Sequence, residues 1–477
     1  MLIQGIGPGK VAPYYPYRHI DQKIFVGYIP GVSTVSAPPA SRWSDDSFLN
    51  RLRGEGDPEA DGCFQQITAS GQSFGGLFEF LNSNSAVVPD FAPAPIRAYF
   101  AACQRVPTPD GLPVDMQRLQ HGESAFLSHA CCSALVLLAN SLPAGYAAPN
   151  LAQVLVLSGN LKNHPYRRLL GVLQMVVNVT SRNGFEPEGK AVVTAAKLRL
   201  LHAGVRHIAR QRLPHYDRQY GIPVNHEDML ATIMGFSLLV IRGLQQLEVP
   251  LREKEAEDYY YLWQMFALAM GIHPPGQPNS TEYLPATLAE AEEFYTAYSR
   301  RHYREAVQNP EGVELTRACL LMLEHMVART PFRRLGITRV PRVYMQRLLG
   351  AAGLVQRGVK PVRGHPILTI VLLTPLRIWT WLGSRADRDG GRHFHERIGQ
   401  IFFQGLIDRT LEGEVTFLVP EGLNDLHALT EKVVRPYGER RRVQRRVRQS
   451  DRLLGERRSG SDRRLAFRAA FWGVSPH

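Results

Sequence analysis

The chain has 477 residues, 44% of them apolar, and a mean hydropathy of -0.19, which describes a folded globular protein and excludes a disordered or membrane-embedded one. Its net charge of +13 invites a nucleic-acid partner, but twelve arginines against four acids between Glu439 and Arg468 leave only +5 for the rest. That run, ERRRVQRRVRQSDRLLGERRSGSDRR, has no interleaved aromatics and no periodic apolar face. It reads as a solvated tail, and nucleic acid is not the expected partner.

Taken in chain order, the opening MLIQGIGPGKVAPYYPYRHID lacks a basic start followed by an apolar stretch, so no secretory signal is expected. GIGPGK has no apolar strand ahead of it and is set aside as a phosphate loop. The five cysteines (Cys63, Cys103, Cys131, Cys132, Cys319) form no CxxC pair and, with no export signal, point to a reducing, cytoplasmic setting. Residues 1–95 are rich in Gly, Pro and Ser and are expected to form an irregular N-terminal wrap with a few short helices.

Residues 96–435 show helical patterning. The spacing predicts a helix over 192–213, stopped at Pro214, and a second capped by Asn225 that runs through MLATIMGFSLLVIRGLQQLE to just before Pro250. EKEAEDYYYLWQMFALAMG closes on Gly271, and Thr287 with Glu290 predicts a capping box for the next helix. Few runs alternate with period two, so the expected fold class is all-α. PILTIVLLTPLRIWTWL (366–382) is short for a span and is interrupted by Pro375 and Arg377, which leaves a buried core helix or contact with a membrane surface. Residues 436–477 are the Arg-rich tail, a second candidate for membrane-surface contact.

No GxSxG elbow, Walker A loop, HExxH or helix-opening GxGxxG occurs. What stands out is KLRLLHAGVRH, residues 197–207. On a helix Arg199, His202 and Arg206 share one side, with Leu198, Leu201 and Val205 nearby. An imidazole between guanidiniums on a half-apolar face suits an iron porphyrin, with the ring nitrogen on the metal and the arginines on the propionates. It equally suits a hydrogen-bonded core histidine, and the spacing leaves both readings open. His207 lies one position around and does not share that ligand site. His226 and His273 are further polar candidates, with surface or capping roles as the alternative.

The segment 151–275 resembles the latex-clearing-protein and MpaB oxygenase family. The stretches that carry the resemblance are VLVLSGNL (154–161), PYRRLL (165–170), KLRLLHAGVRH, YGIPVNHEDMLATIMGFS (220–237) and YYYLWQMFALAMGI (259–272), in the family's order. The resemblance implies a helical bundle with a globin-like core and haem b held by His202, the proximal iron ligand. It places Arg168 near the haem as a catalytic and cofactor-binding residue, and gives Arg199 and Arg206 propionate-pairing or supporting roles.

It also implies dioxygen as co-substrate and an apolar unsaturated, isoprenoid- or lipid-like substrate, cleaved oxidatively at a C=C bond. Two positions depart from the family: Val172 stands where a threonine is usual, one turn after the arginine, and Gly171 takes the position of a distal lysine. Thr180 replaces the threonine only if the alignment slips. No acid occurs between Glu123 and Glu186 to act as a distal base. These departures keep a non-catalytic haem sensor or carrier as one alternative, and the tail keeps an RNA- or membrane-binding interaction protein as another. Oligomeric state is not legible in the sequence.

Overall fold

The computed structural model describes residues 41–70, 77, 80, 81, 83, 85–157, 165–249, 251–328 and 340–362. Side chains of 165–168, 170 and 325–328 fall outside this description, as do the candidate segment 366–382, the Arg-rich tail and residues 1–40.

Every described regular element is a helix. Four short ones come first: α1 (Asp46–Arg53), α2 (Pro58–Ala69), α3 (Ala94–Cys103) and α4 (Met116–Ser128). α5 (Ala130–Val136) passes through a π-helical turn (Leu137–Ser141) into α6 (Leu142–Gly145). Then follow α7 (Pro149–Leu157), α8 (Pro165–Val179), α9 (Lys190–Arg212), α10 (Tyr216–Tyr220), α11 (His226–Phe236) and α12 (Leu238–Gln246). The series ends with α13 (Glu253–Ala269), α14 (Leu288–His302), α15 (Pro310–Ala328) and α16 (Val340–Gln356). The fold is all-α. Among the described residues, no single helix is long and apolar enough to cross a membrane.

Caps explain most of the starts. Asp45, Asp57 and Asp115 each accept from backbone N–H groups of the first turns of α1, α2 and α4, satisfying donors that a helix leaves unpaired. Asn225 does the same for α11, through a 2.8 Å bond from the Asp228 N–H.

Two expectations need correction. The helix foreseen from Asn225 to residue 248 is two helices, broken at Ser237, whose hydroxyl donates to the Ile233 carbonyl and whose ψ is −82°. A serine bonded back to the i−4 carbonyl bends a helix, and here it accompanies the break. At α14 only half of the capping box forms. Thr287 accepts from the Glu290 N–H, whereas the Glu290 carboxylate turns to the Ala286 N–H and the Trp43 indole.

The core does not divide at residue 95. Trp43, Leu49, Leu52, Phe64 and Ile67 are buried in the same cluster as α9, α11 and α13. α13 lies along α4, so close at Gly122 that an added Cβ would stand 2.6 Å from the Asp258 carbonyl. α9 packs on α2, α8 and α13 and is the central element for the site. Its Lys197 is buried and donates to the carbonyls of Phe80, Ser83 and Ser85, each at 2.8 Å. Burial pulls this ammonium down to about 7.

Candidate functional site

α9 runs for 23 residues because its apolar positions recur with helical spacing and nothing breaks the run before Pro214. One stretch of its surface, made by Leu198, Leu201, His202 and Val205, forms a wall of a cavity of about 310 Å3. The opposite walls come from α7, α8, α11 and α13, mainly Leu151, Val172, Met229, Phe236 and Phe266. A volume of this size lies in the range of about 300–1,000 Å3 usual for small-molecule and cofactor sites. The lining is overwhelmingly apolar. Its polar members among the described residues are His202, Asn150, Asp228 and Thr232.

His202 keeps part of its surface toward this cavity, and its Nδ1 is sealed off with no hydrogen-bond partner. Burial, helped by the nearby Arg206 charge, pushes the imidazole down to about 4. The ring is therefore neutral at physiological pH, the state in which a ring nitrogen can ligate iron. This fits a haem group met by the ring's other nitrogen: a neutral, half-buried imidazole set in an apolar wall.

The two arginines beside it do something else. Arg199 is buried and pairs with Asp57 (2.6 Å and 2.9 Å) and Glu59 (2.6 Å) on and beside α2. Arg206, equally buried, donates from Nε to Asp61 of α2 at 2.7 Å, while its Nη2 has no hydrogen-bond partner. Neither lines the cavity. Burial works against charge at both ends of the Arg199–Asp57 pair. Their mutual hydrogen bond and attraction prevail, holding the Asp57 carboxyl below and the guanidinium above its usual range. Of the two expected roles, propionate pairing or support, this geometry favours support: Asp57, Glu59 and Asp61 engage both guanidiniums on the α2 side of α9. Arg168 lies in α8, one turn before Gly171 and Val172; its side chain is outside the described residues.

Gly171 and Val172, the two departures from the family pattern, both line the cavity, so the wall is apolar where a lysine and a threonine were the reference. Thr180 does not replace them. It is buried away from the cavity and donates to the Val176 carbonyl at 2.8 Å. His207 points to the α2 side, with its ring 5.4 Å from Phe64. His226 and His273 are not surface residues: both are buried, and the Nδ1 of His226 has no partner. Burial brings His226 down to about 4.

Sequence reasoning missed Asp228. It lies in the first turn of α11, buried in the cavity wall, and burial raises its carboxyl to about 6. It accepts from Asn150 Nδ2, from the Tyr298 hydroxyl at 2.9 Å and from Asn225 Nδ2 at 3.1 Å. The available signal was helical spacing. Asp228 precedes Met229, Thr232 and Phe236 by one, four and eight residues, and all three line the same cavity.

A family model described as "ER-bound oxygenase mpaB/B'/Rubber oxygenase, catalytic domain" matches residues 119–375. A rubber oxygenase from Streptomyces sp. (strain K30) is 28% identical over 176 residues, covering 36% of this chain and 39% of that protein. The chain thus matches about two-fifths of the length of that curated relative. Among solved structures, that of latex clearing protein in the closed state has a TM-score of 0.50 at 19% identity, covering 69% of this chain and 91% of its own. At that identity the likeness speaks for the fold.

Proposed function

This chain belongs to the ER-bound oxygenase mpaB/B'/rubber oxygenase catalytic-domain family, and from that premise we propose that it is a haem-b-dependent oxygenase. Its proposed substrate is an apolar, unsaturated, isoprenoid- or lipid-like chain, cleaved oxidatively at a carbon–carbon double bond with dioxygen. The observation that carries the reading is His202, a neutral, half-buried imidazole on the wall of an apolar cavity.

Haem b, when bound, supplies the iron that binds and activates dioxygen. His202 would hold it, and burial keeps the ring unprotonated for that task. Leu151, Val172, Met229 and Phe266 exclude water and offer an alkene a surface without competing hydrogen bonds. Asp228 is the one carboxylate among the described lining residues. Held near neutrality, it is suited to keep or pass a proton at its carboxyl oxygens. Arg199 and Arg206 act on the site by fixing α9 to α2, and the proposal keeps Arg168 as a residue near the haem. It also keeps a cytoplasmic placement, supported by five free thiols, and contact with a membrane surface through 366–382 or the tail.

A second reading, a haem sensor or carrier without turnover, draws on the apolar wall at Gly171 and Val172. The visible absorption spectrum of protein produced with ample haem, beside His202→Ala, tests both readings. A Soret band that the substitution abolishes or strongly shifts is expected. Dioxygen-dependent cleavage of an unsaturated lipid then separates the oxygenase from the carrier. A colourless parent that takes up no added haemin sinks both.

A further inference from the structure

Glu227 and Asp228 are neighbours in the first turn of α11, and both are buried, at 0% and 2% exposure. Consecutive helical residues point about 100° apart. Asp228 thereby reaches the cavity wall, while Glu227 turns to α14. α14 meets both acids from positions one turn apart. The Tyr298 hydroxyl donates to Asp228 Oδ1 at 2.9 Å. His302 Nε2 stands 3.0 Å from Glu227 Oε1, off the line of an N–H hydrogen bond. The two α14 rings lie 4.6 Å apart, so the imidazole sits one ring behind the cavity carboxyl without lining the cavity itself.

Charge balance restricts the protons this buried cluster can hold. Arg301 donates to Glu227 Oε1 at 3.0 Å, and the two charges cancel. Its other contacts, Asp46 and Asn50, lie at the exposed edge, where water screens charge. Asp228 and His302 remain. With no proton between them, the carboxylate is left without a cation; with two, the imidazolium is left without an anion. An uncompensated buried charge is costly, so one proton is favoured, on the carboxyl or on the imidazole. The other groups about Asp228 keep this count. Asn150 of α7 and Asn225 donate to it as neutral groups, and Tyr216 of α10 is turned to the Asn150 carbonyl. Arg53 of α1 is engaged by the Tyr220 carbonyl, and His202 on the facing wall is neutral.

We propose that protonation of Asp228 and protonation of His302 exclude each other, with Glu227 anchoring the imidazole behind the cavity. His302 is then a positioning residue: it decides whether the cavity carboxyl holds its proton. The inference rests on the reading of Asp228 as the proton-handling group and deepens it by naming what regulates that group. Helix ends favour the charged pair, since His302 closes α14 and Asp228 lies in the first turn of α11. Burial favours the neutral pair and lifts the carboxyl to about 6. These opposed preferences keep the two forms close, and the groups titrate as a linked pair.

Infrared spectroscopy of the full-length protein as purified, followed against pH, reads the carbonyl stretch of protonated Asp228, identified by its loss in Asp228→Asn. His302→Gln removes the competing cation and is expected to raise the midpoint of that band by about one pH unit or more, the usual worth of a close opposite charge. Glu227→Gln leaves Arg301 to be balanced by Asp228 and is expected to lower the midpoint. Hydration through loosened packing would lower both, so the opposite signs separate linkage from damage. Should Glu227→Gln fail to fold, the rise in His302→Gln decides alone. An unchanged or lowered midpoint in His302→Gln, or a parent band that does not titrate, overturns the inference. The titration needs no haem, so that failure leaves the oxygenase reading intact. A colourless protein, or full turnover in Asp228→Asn, overturns instead the reading on which the inference rests.

Discussion

Two sides of α9, separated by less than a third of a turn, face opposite environments. Leu198, Leu201, His202 and Val205 look into an apolar cavity, whereas Arg199 and Arg206 are locked onto Asp57, Glu59 and Asp61. At about 100° per residue, both arginines lie to the same side of His202, about 60° and 40° round the helix and so about 20° from each other. One neighbouring helix can therefore claim both while the imidazole stays with the cavity. The difference teaches that one helical face carries two jobs. The charged part is fixed by buried ion pairs and holds the helix still; the apolar part presents a chemically free ring.

The comparison can be broken from either side. The largest expected effect is on the cavity side. Asp228→Asn should lower turnover about 10²–10⁴-fold, the usual worth of a positioned proton-handling group, while the Soret band persists. Full activity in that variant would remove Asp228 from the chemistry and leave the carboxylate a purely structural anchor.

On the charged side, Asp57→Ala leaves the Arg199 guanidinium buried without its main partner and removes the cap of α2. Breaking a buried pair from one end costs about 3–5 kcal/mol, read as a shift of the urea midpoint. The ligand side predicts that any haem still bound keeps its spectrum. A spectrum that changes with stability would show the two halves of α9 to be one unit.

A smaller effect concerns pH. Burial depresses His226 from 6.5 to about 4, so the unfolded chain takes up its proton first. The stability this group contributes is present above pH 6.5 and is lost as pH falls toward 4. His226→Gln should therefore remove about 2 kcal/mol of the stability lost between pH 7 and pH 5. Identical pH profiles for parent and variant would show that His226 is already hydrated.

The smallest expected effect is that of Val172→Thr, which adds a hydroxyl to the apolar wall of the cavity. A destabilisation of about 1 kcal/mol in the melting curve is expected if that wall is dry. A neutral or stabilising result would mean water reaches it.

Much of the fold could be read directly from the chain. The α9 boundaries fall within two residues of the expected 192–213, because the apolar spacing and Pro214 are local signals. Asn225 caps α11 for the same reason. The break at Ser237 was not legible, since the apolar pattern continues across it and only the backbone torsions interrupt it. In the site, the position of His202 on a partly apolar helix face was visible, but whether that face met a cavity or solid core was not. Asp228 shares a helix face with Thr232 and Phe236, a spacing visible in the sequence, but that spacing could not say whether the face met a cavity or solid core.

What the sequence determined by itself is the helical class, the ends of α9 and α13, the starts of α11 and α14, and the family pattern around His202. These follow from short-range rules: periodicity, caps and breakers act within a few residues. Tertiary structure alone decided which side of α9 each side chain serves. Asp57 stands 142 positions from Arg199, and Asn150 stands 78 from Asp228. The contacts that commit the arginines to α2, bury Asp228 and leave His202 unpaired depend on how distant helices pack, which no local pattern encodes.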